Sequence, residues 1–172
     1  MDAFKLYCRS LIMSLALSLF LSPTLGGSAA ADSILDVGPH IDSYSGFTRG
    51  YWFQAPTDFT VTGVRVPTDA TAFMPQSAEI VRFNSALPAY PLVSNDFTSL
   101  GYWRNISGGG FISSNIAVLQ GDIIGVLGTR MLANSYGAVD HTAQIGGFTV
   151  SLSRLGLLND FLFNGQAYNL FT

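Results

Sequence analysis

At 172 residues and a net charge of −3, from 8 basic and 11 acidic side chains, the chain has the length of one domain. Hydrophobic residues make up 48% and charged residues only 11%, against about 25% charged in an average soluble domain, which excludes a disordered polyampholyte. A sequence pI near 5.0 excludes a basic nucleic-acid binder.

Lys5 and Arg9 open the chain, and Leu11 to Leu21 follows as an apolar run broken only by serines. Ser22-Pro23-Thr24 ends that run, and Ser28-Ala29-Ala30-Ala31 supplies small residues. Residues 1–31 are therefore read as a secretory signal peptide, helical in its apolar part and cleaved after Ala31. The run of 11 residues is shorter than the ~20 that a spanning helix needs. Cys8 precedes the run instead of closing it, so it does not mark a lipoprotein. The mature chain is expected to be secreted and to have no membrane span.

Cleavage of 31 residues from 172 leaves 141, with six arginines, no lysine, no cysteine and ten acids, a net charge of −4 (six minus ten). Cysteine nucleophiles, thiolate metal sites and lysine Schiff bases are thereby excluded from the mature chain. Without disulfides the domain is held by its core alone, which this length allows.

Residues 32–44 form a polar leader that either stays loose or pairs as an edge strand. From residue 45 to 172 the sequence reads as one all-β domain, because short β-rich runs recur between turn residues. Strands are expected near Ser45–Gln54, Phe59–Val66, Ala78–Asn84, Phe97–Arg104, Ile112–Leu119, Asp122–Leu127, Thr142–Ile145, Phe148–Arg154 and Asn159–Phe163. A tenth is expected near Tyr168–Phe171. Ala55-Pro56-Thr57-Asp58, Leu87-Pro88, Gly108-Gly109-Gly110, Gln120-Gly121-Asp122 and Gly146-Gly147 punctuate them as turns. The fold class this implies is an antiparallel β-sandwich, jelly-roll-like, of 8 to 10 short strands. In Phe59–Val66 the alternation places Thr60, Thr62, Val64 and Val66 on one face. Asp122 is expected to cap its turn, while Gly125 and Gly128 admit a close backbone.

Chemical signatures are sparse. His40 and His141 stand a hundred residues apart with no metal-binding spacing, and are read as solvated loop residues. The acids are scattered singly beside turns, as turn chemistry alone would place them. A hydrolase would need two facing carboxylates, Glu79 with an aspartate for instance. No catalytic residue and no cofactor is assigned. Calcium between turn aspartates has the right ligand chemistry, yet no D-x-D-x-D-G run marks a site. The aromatics carry the functional expectation. Tyr51-Trp52-Phe53 and Tyr102-Trp103-Arg104 hold both tryptophans of the chain, each within an expected strand. One face of each strand is core, and the other can offer a flat ring to a sugar, with Arg49 or Arg104 supplying hydrogen bonds. The candidate ligand-binding residues are Trp52, Tyr102, Trp103, Arg104 and Arg49. The alternative is that both tryptophans are core residues between two sheets.

Thr48-Arg49-Gly50-Tyr51-Trp52-Phe53, followed by Ala55-Pro56-Thr57-Asp58-Phe59 through Pro67, resembles exported bacterial domains of proteins that carry a PEP-CTERM sorting signal. Gly121-Asp122-Ile123-Ile124-Gly125, Asn134-Ser135-Tyr136-Gly137 and Arg154-Leu155-Gly156 extend that likeness over residues 43–156. The resemblance implies a secreted β-sandwich and brings no established activity. The sorting signal itself is not found: residues 159–172 have no Pro-Glu-Pro, no spanning helix and no basic tail, so release or non-covalent retention is expected.

Three functions follow as expectations. The first is an extracellular binding module whose partner is a polysaccharide or another cell-surface component. The second is a structural subunit of a matrix or filament, acting through self-association. The third, least supported by the residues, is a carboxylate-dependent hydrolase.

Overall fold

The computed structural model describes residues 34–35, 37, 42–45, 48–68, 71, 73–131, 133–136, 141–157, 161 and 165–172. The expected signal segment 1–31 and much of the leader lie outside them. The described part is all-β. Eleven strands follow one another: β1 (Asp42–Ser45), β2 (Arg49–Gln54), β3 (Phe59–Val64), β4 (Gln76–Phe83), β5 (Phe97–Ile106), β6 (Ile112–Val118), β7 (Ile123–Arg130), β8 (Ala133–Tyr136), β9 (His141–Ile145), β10 (Phe148–Leu157) and β11 (Leu170–Phe171). Every pairing between them is antiparallel.

Most expected strands stand where the alternation puts them, with ends displaced by one to three residues. The Ser45–Gln54 expectation divides into the end of β1 and the whole of β2. Between them Thr48 is fully buried, and its Oγ1 accepts the backbone N–H of Phe161. The leader's last residues do pair as a strand, β1, against β8. Of the expected strand Asn159–Phe163 only Phe161 is described, and its side chain is buried.

Nine strands form one large curled sheet, and β3 with β6 forms a second, two-stranded one. β7 lies at the centre of the large sheet, with β2 on one side and β4 on the other. β4 carries β5, while β2 leads to β10, which holds β9 along its first half and β11 at its end. β4 and β7 are buried along both faces, as strands covered twice must be. Ala78, Ile80 and Ile124 join Phe53 and Leu152 in a first apolar cluster, to which the small sheet adds Val64, Ile112 and Val118. Val81, Phe83, Leu127, Leu155 and Leu157 point the other way into a second cluster, closed by Phe161 and Leu170. Full burial of one such leucine or phenylalanine is worth about 1.5–3 kcal/mol.

The face expected for Phe59–Val66 is corrected. A register shift between Val61 and Gly63 resets the alternation. Phe59 and Val61 before it, and Val64 and Val66 after it, all reach the first cluster, while Thr60 and Thr62 stay exposed. The glycines of β7 are also corrected. A Cβ on Gly125 would meet the side chains of Leu155, Phe83 and Val81 at 2.7–2.9 Å, and one on Gly128 would meet Val66. Backbone approaches closely at Gly50 instead, where a Cβ would drive into the carbonyl of Val126 on β7.

One end of the large sheet is closed by buried polar groups. Gln76 and Arg130 are cross-strand partners, each about 1% exposed. Arg130 donates from Nε to the Pro67 carbonyl at 2.8 Å and from Nη2 to Val66 O at 2.8 Å. Its Nη1 donates to Met74 O at 2.8 Å and Gly108 O at 3.3 Å. Gln76 accepts the Val66 N–H on Oε1 and donates from Nε2 to Gly110 O. Two side chains thus fasten the loops at 66–75 and 107–111 to the end of β4 and β7.

Candidate functional site

β2 and β10 pair with Trp52 opposite Ser153, so these two side chains share a face of the large sheet. Alternation puts Gln54 on that face from β2, and Thr149 and Ser151 from β10. The turn at Gln120–Gly121 closes the end of this surface. Ala55 N donates to Asp122 O at 2.8 Å, and Gly121 N donates to Ala55 O at 2.9 Å. Gln54 Nε2 reaches Gly121 O at 3.3 Å. Gly121 has a φ of +89°, which suits a residue without Cβ. Asp122 caps the turn as expected, its Oδ2 accepting the Leu119 N–H at 3.0 Å, and Asp58 Oδ1 accepts the Gln120 N–H at 2.7 Å.

Together these residues line an open groove of about 590 Å³, with Trp52, Gln54, Gln120, Thr149, Ser151 and Ser153 on its walls. Trp52 packs on one side against the second apolar cluster. Its Nε1 is buried and meets no acceptor among the described residues. The indole therefore presents carbon, not its N–H, to the groove. Amide and hydroxyl side chains around an apolar ring make a surface that can donate and accept hydrogen bonds while covering a flat carbon face.

The other predicted residues do not gather there. Tyr102 shares the second cluster with Trp52 but stacks edge-on against Phe161 at 5.6 Å. Its hydroxyl is buried without a partner among the described residues, and that burial pushes its pKa above the ordinary 10.0. Trp103 faces the first cluster, on the opposite side of the sheet, with its ring folded over Gly101. Arg104 is exposed at the far end of β5. Arg49 is half-buried and donates from Nη1 to Thr48 O at 2.9 Å and Leu157 O at 3.0 Å, tying β2 to the end of β10. Of the five, Trp52 alone lines the groove. Sequence reasoning missed Gln54, Gln120, Thr149, Ser151 and Ser153. The alternation along Phe148–Arg154 marked the last three as sharing a face, but nothing in it pointed to Trp52.

Glu79 is fully buried between β4 and the segment 165–172. Ser99 Oγ donates to its Oε1 and the Ala167 N–H to its Oε2, both at 2.6 Å. Burial raises its pKa above the usual 4.5, and these two hydrogen bonds oppose the rise. The carboxyl thereby fastens the C-terminal segment over the second cluster. Among the described residues no group of three His, Cys, Asp or Glu is placed to hold a metal ion. His141 opens β9, whereas His40 and Asp140 lie outside the described residues. No described helix is long and apolar enough to cross a membrane. No protein-family model, curated protein or solved structure matches the chain.

Proposed function

We propose that this chain is an exported, non-catalytic binding module, and that the groove beside Trp52 takes a polysaccharide of the cell surface or matrix. In this reading the large sheet and the β3–β6 sheet form a jelly-roll-like sandwich, supported by the first apolar cluster, which draws side chains from both. The observation that carries the function is the composition of the groove: one indole among two amides and three hydroxyls. Pyranose rings offer the matching pair of surfaces, an apolar C–H face and a rim of hydroxyls.

The test is a pull-down of residues 32–172 on insoluble cellulose, chitin, peptidoglycan and the producer's own exopolysaccharide. Retention by one of them, lost in a Trp52→Ala variant that keeps its folded spectrum, supports the module. Retention that survives both Trp52→Ala and Gln54→Ala overturns the assignment of the groove.

A second reading, a subunit of a matrix or filament, is favoured by β5. This ten-residue strand pairs only with β4 among the described residues. Its outer edge is open to strand addition from another copy. Light scattering that rises with concentration, and falls when a proline is placed at Ser99 or Gly101, would favour that reading.

A further inference from the structure

We infer that the groove beside Trp52 selects neutral glycans and rejects uronate-bearing or sulfated ones; this rests on the binding-module reading above. Among the described residues no charged side chain lines the groove, whose polar walls are amides and hydroxyls. Two carboxylates flank the turn that closes its end. Asp58 and Asp122 each hold a backbone N–H of the turn that supplies Gln120 and Gly121. The cation beside them, Arg82, already faces Asp122, with Nη1 3.7 Å from Oδ2. A sugar carboxylate or sulfate seated here would give up water, gain no cation and approach two carboxylates. A neutral pyranose gives up only hydroxyl hydration, which Gln54, Gln120 and the serines replace. Burial of its C–H face on the indole then adds to binding.

Affinity gel electrophoresis of residues 32–172 tests the selection. Laminarin and hydroxyethyl cellulose serve as neutral probes, alginate and polygalacturonate as anionic ones. The expected result is retardation by a neutral probe, insensitive to salt, and at least about tenfold weaker in folded Trp52→Ala, with no retardation by either anionic probe. Ser153→Lys adds the missing cation, and retardation by alginate is expected to appear in that variant. Where Trp52→Ala does not fold, the pair Gln54→Ala and Ser153→Ala is read in its place. Retardation of the unaltered chain by alginate or polygalacturonate, abolished by the groove variants, overturns the neutral selection and leaves the groove as a glycan site. Retardation by neither series overturns both.

Discussion

Replacing Arg130 with methionine removes a buried cation whose donors end on four carbonyl oxygens, those of Val66, Pro67, Met74 and Gly108. Met74 and Gly108 are exposed residues, and water can take over their carbonyls. Val66 is buried and Pro67 half-buried, so two acceptors are left poorly hydrated, at about 1–3 kcal/mol each. Relief from burying a guanidinium returns part of that loss. The balance is a destabilisation of about 3 kcal/mol, equal to roughly 10 °C in Tm for a chain of this size. Urea unfolding followed by tryptophan fluorescence reads the free energy. Hydrogen exchange adds location: the amide of Val66, held by Gln76, loses protection earlier than the amides of β2. Arg130→Lys behaves like the methionine variant, because one ammonium cannot reach four carbonyls arranged around a planar fork. A loss below about 1 kcal/mol in Arg130→Met would refute the reasoning, since water would then be satisfying the carbonyls that the fold appoints to Arg130.

Three further outcomes follow from the same geometry. Because burial raises the Glu79 carboxyl, the native state holds its proton more tightly than the unfolded chain. Its contribution is complete below the usual carboxylate value and is lost as pH rises through the raised one. Glu79→Gln therefore gains on the unaltered protein across that window, by about 1.4 kcal/mol for each pH unit of the rise, and urea titrations at about pH 4 and pH 8 check it. An equal difference at both pH values would count against it. Tyr102→Phe removes a buried hydroxyl that has no partner among the described residues and is expected to raise stability by about 1 kcal/mol, read as a shift in the urea midpoint at unchanged slope. Gly125→Ala presses on side chains that can give way and costs about 1–3 kcal/mol, whereas Gly50→Ala presses on backbone and costs more; thermal melts of the two variants give the order.

Strand existence was legible wherever β-branched or aromatic runs were bounded by proline or glycine, as in Phe59–Val64 and Ile123–Arg130. β8 was not, because Ala133-Asn134-Ser135-Tyr136 has the composition of a turn and becomes a strand through its pairing with β1. The reset in β3 was equally hidden, since a register shift belongs to two strands and leaves no mark in either one alone. At the site, the alternation in Tyr51-Trp52-Phe53 told that Trp52 opposes its neighbours. It could not tell that Ser153, a hundred residues on, stands opposite it. Trp103 shows the converse. Gly101, two positions earlier on the same face, gives its ring a seat against the first cluster, a local arrangement that composition alone does not distinguish from an exposed platform.

The central place of β7 has a consequence for the order of events during synthesis. Of the partners of β7, β2 and β4 precede it, with Arg49 opposite Gly128 and Gln76 opposite Arg130, and only β8 follows. A chain emerging from its N-terminus can close β4 on β5 and β3 on β6 early, but β2 and β4 share no neighbour until Ile123–Arg130 has appeared. Through that interval Phe53, Ile80 and Val81 lack the β7 side chains Ile124 and Leu127 that share their clusters. Pairings of this span are slow to form. The large sheet thus acquires its shape late, once Ile123–Arg130 is available to join its two halves.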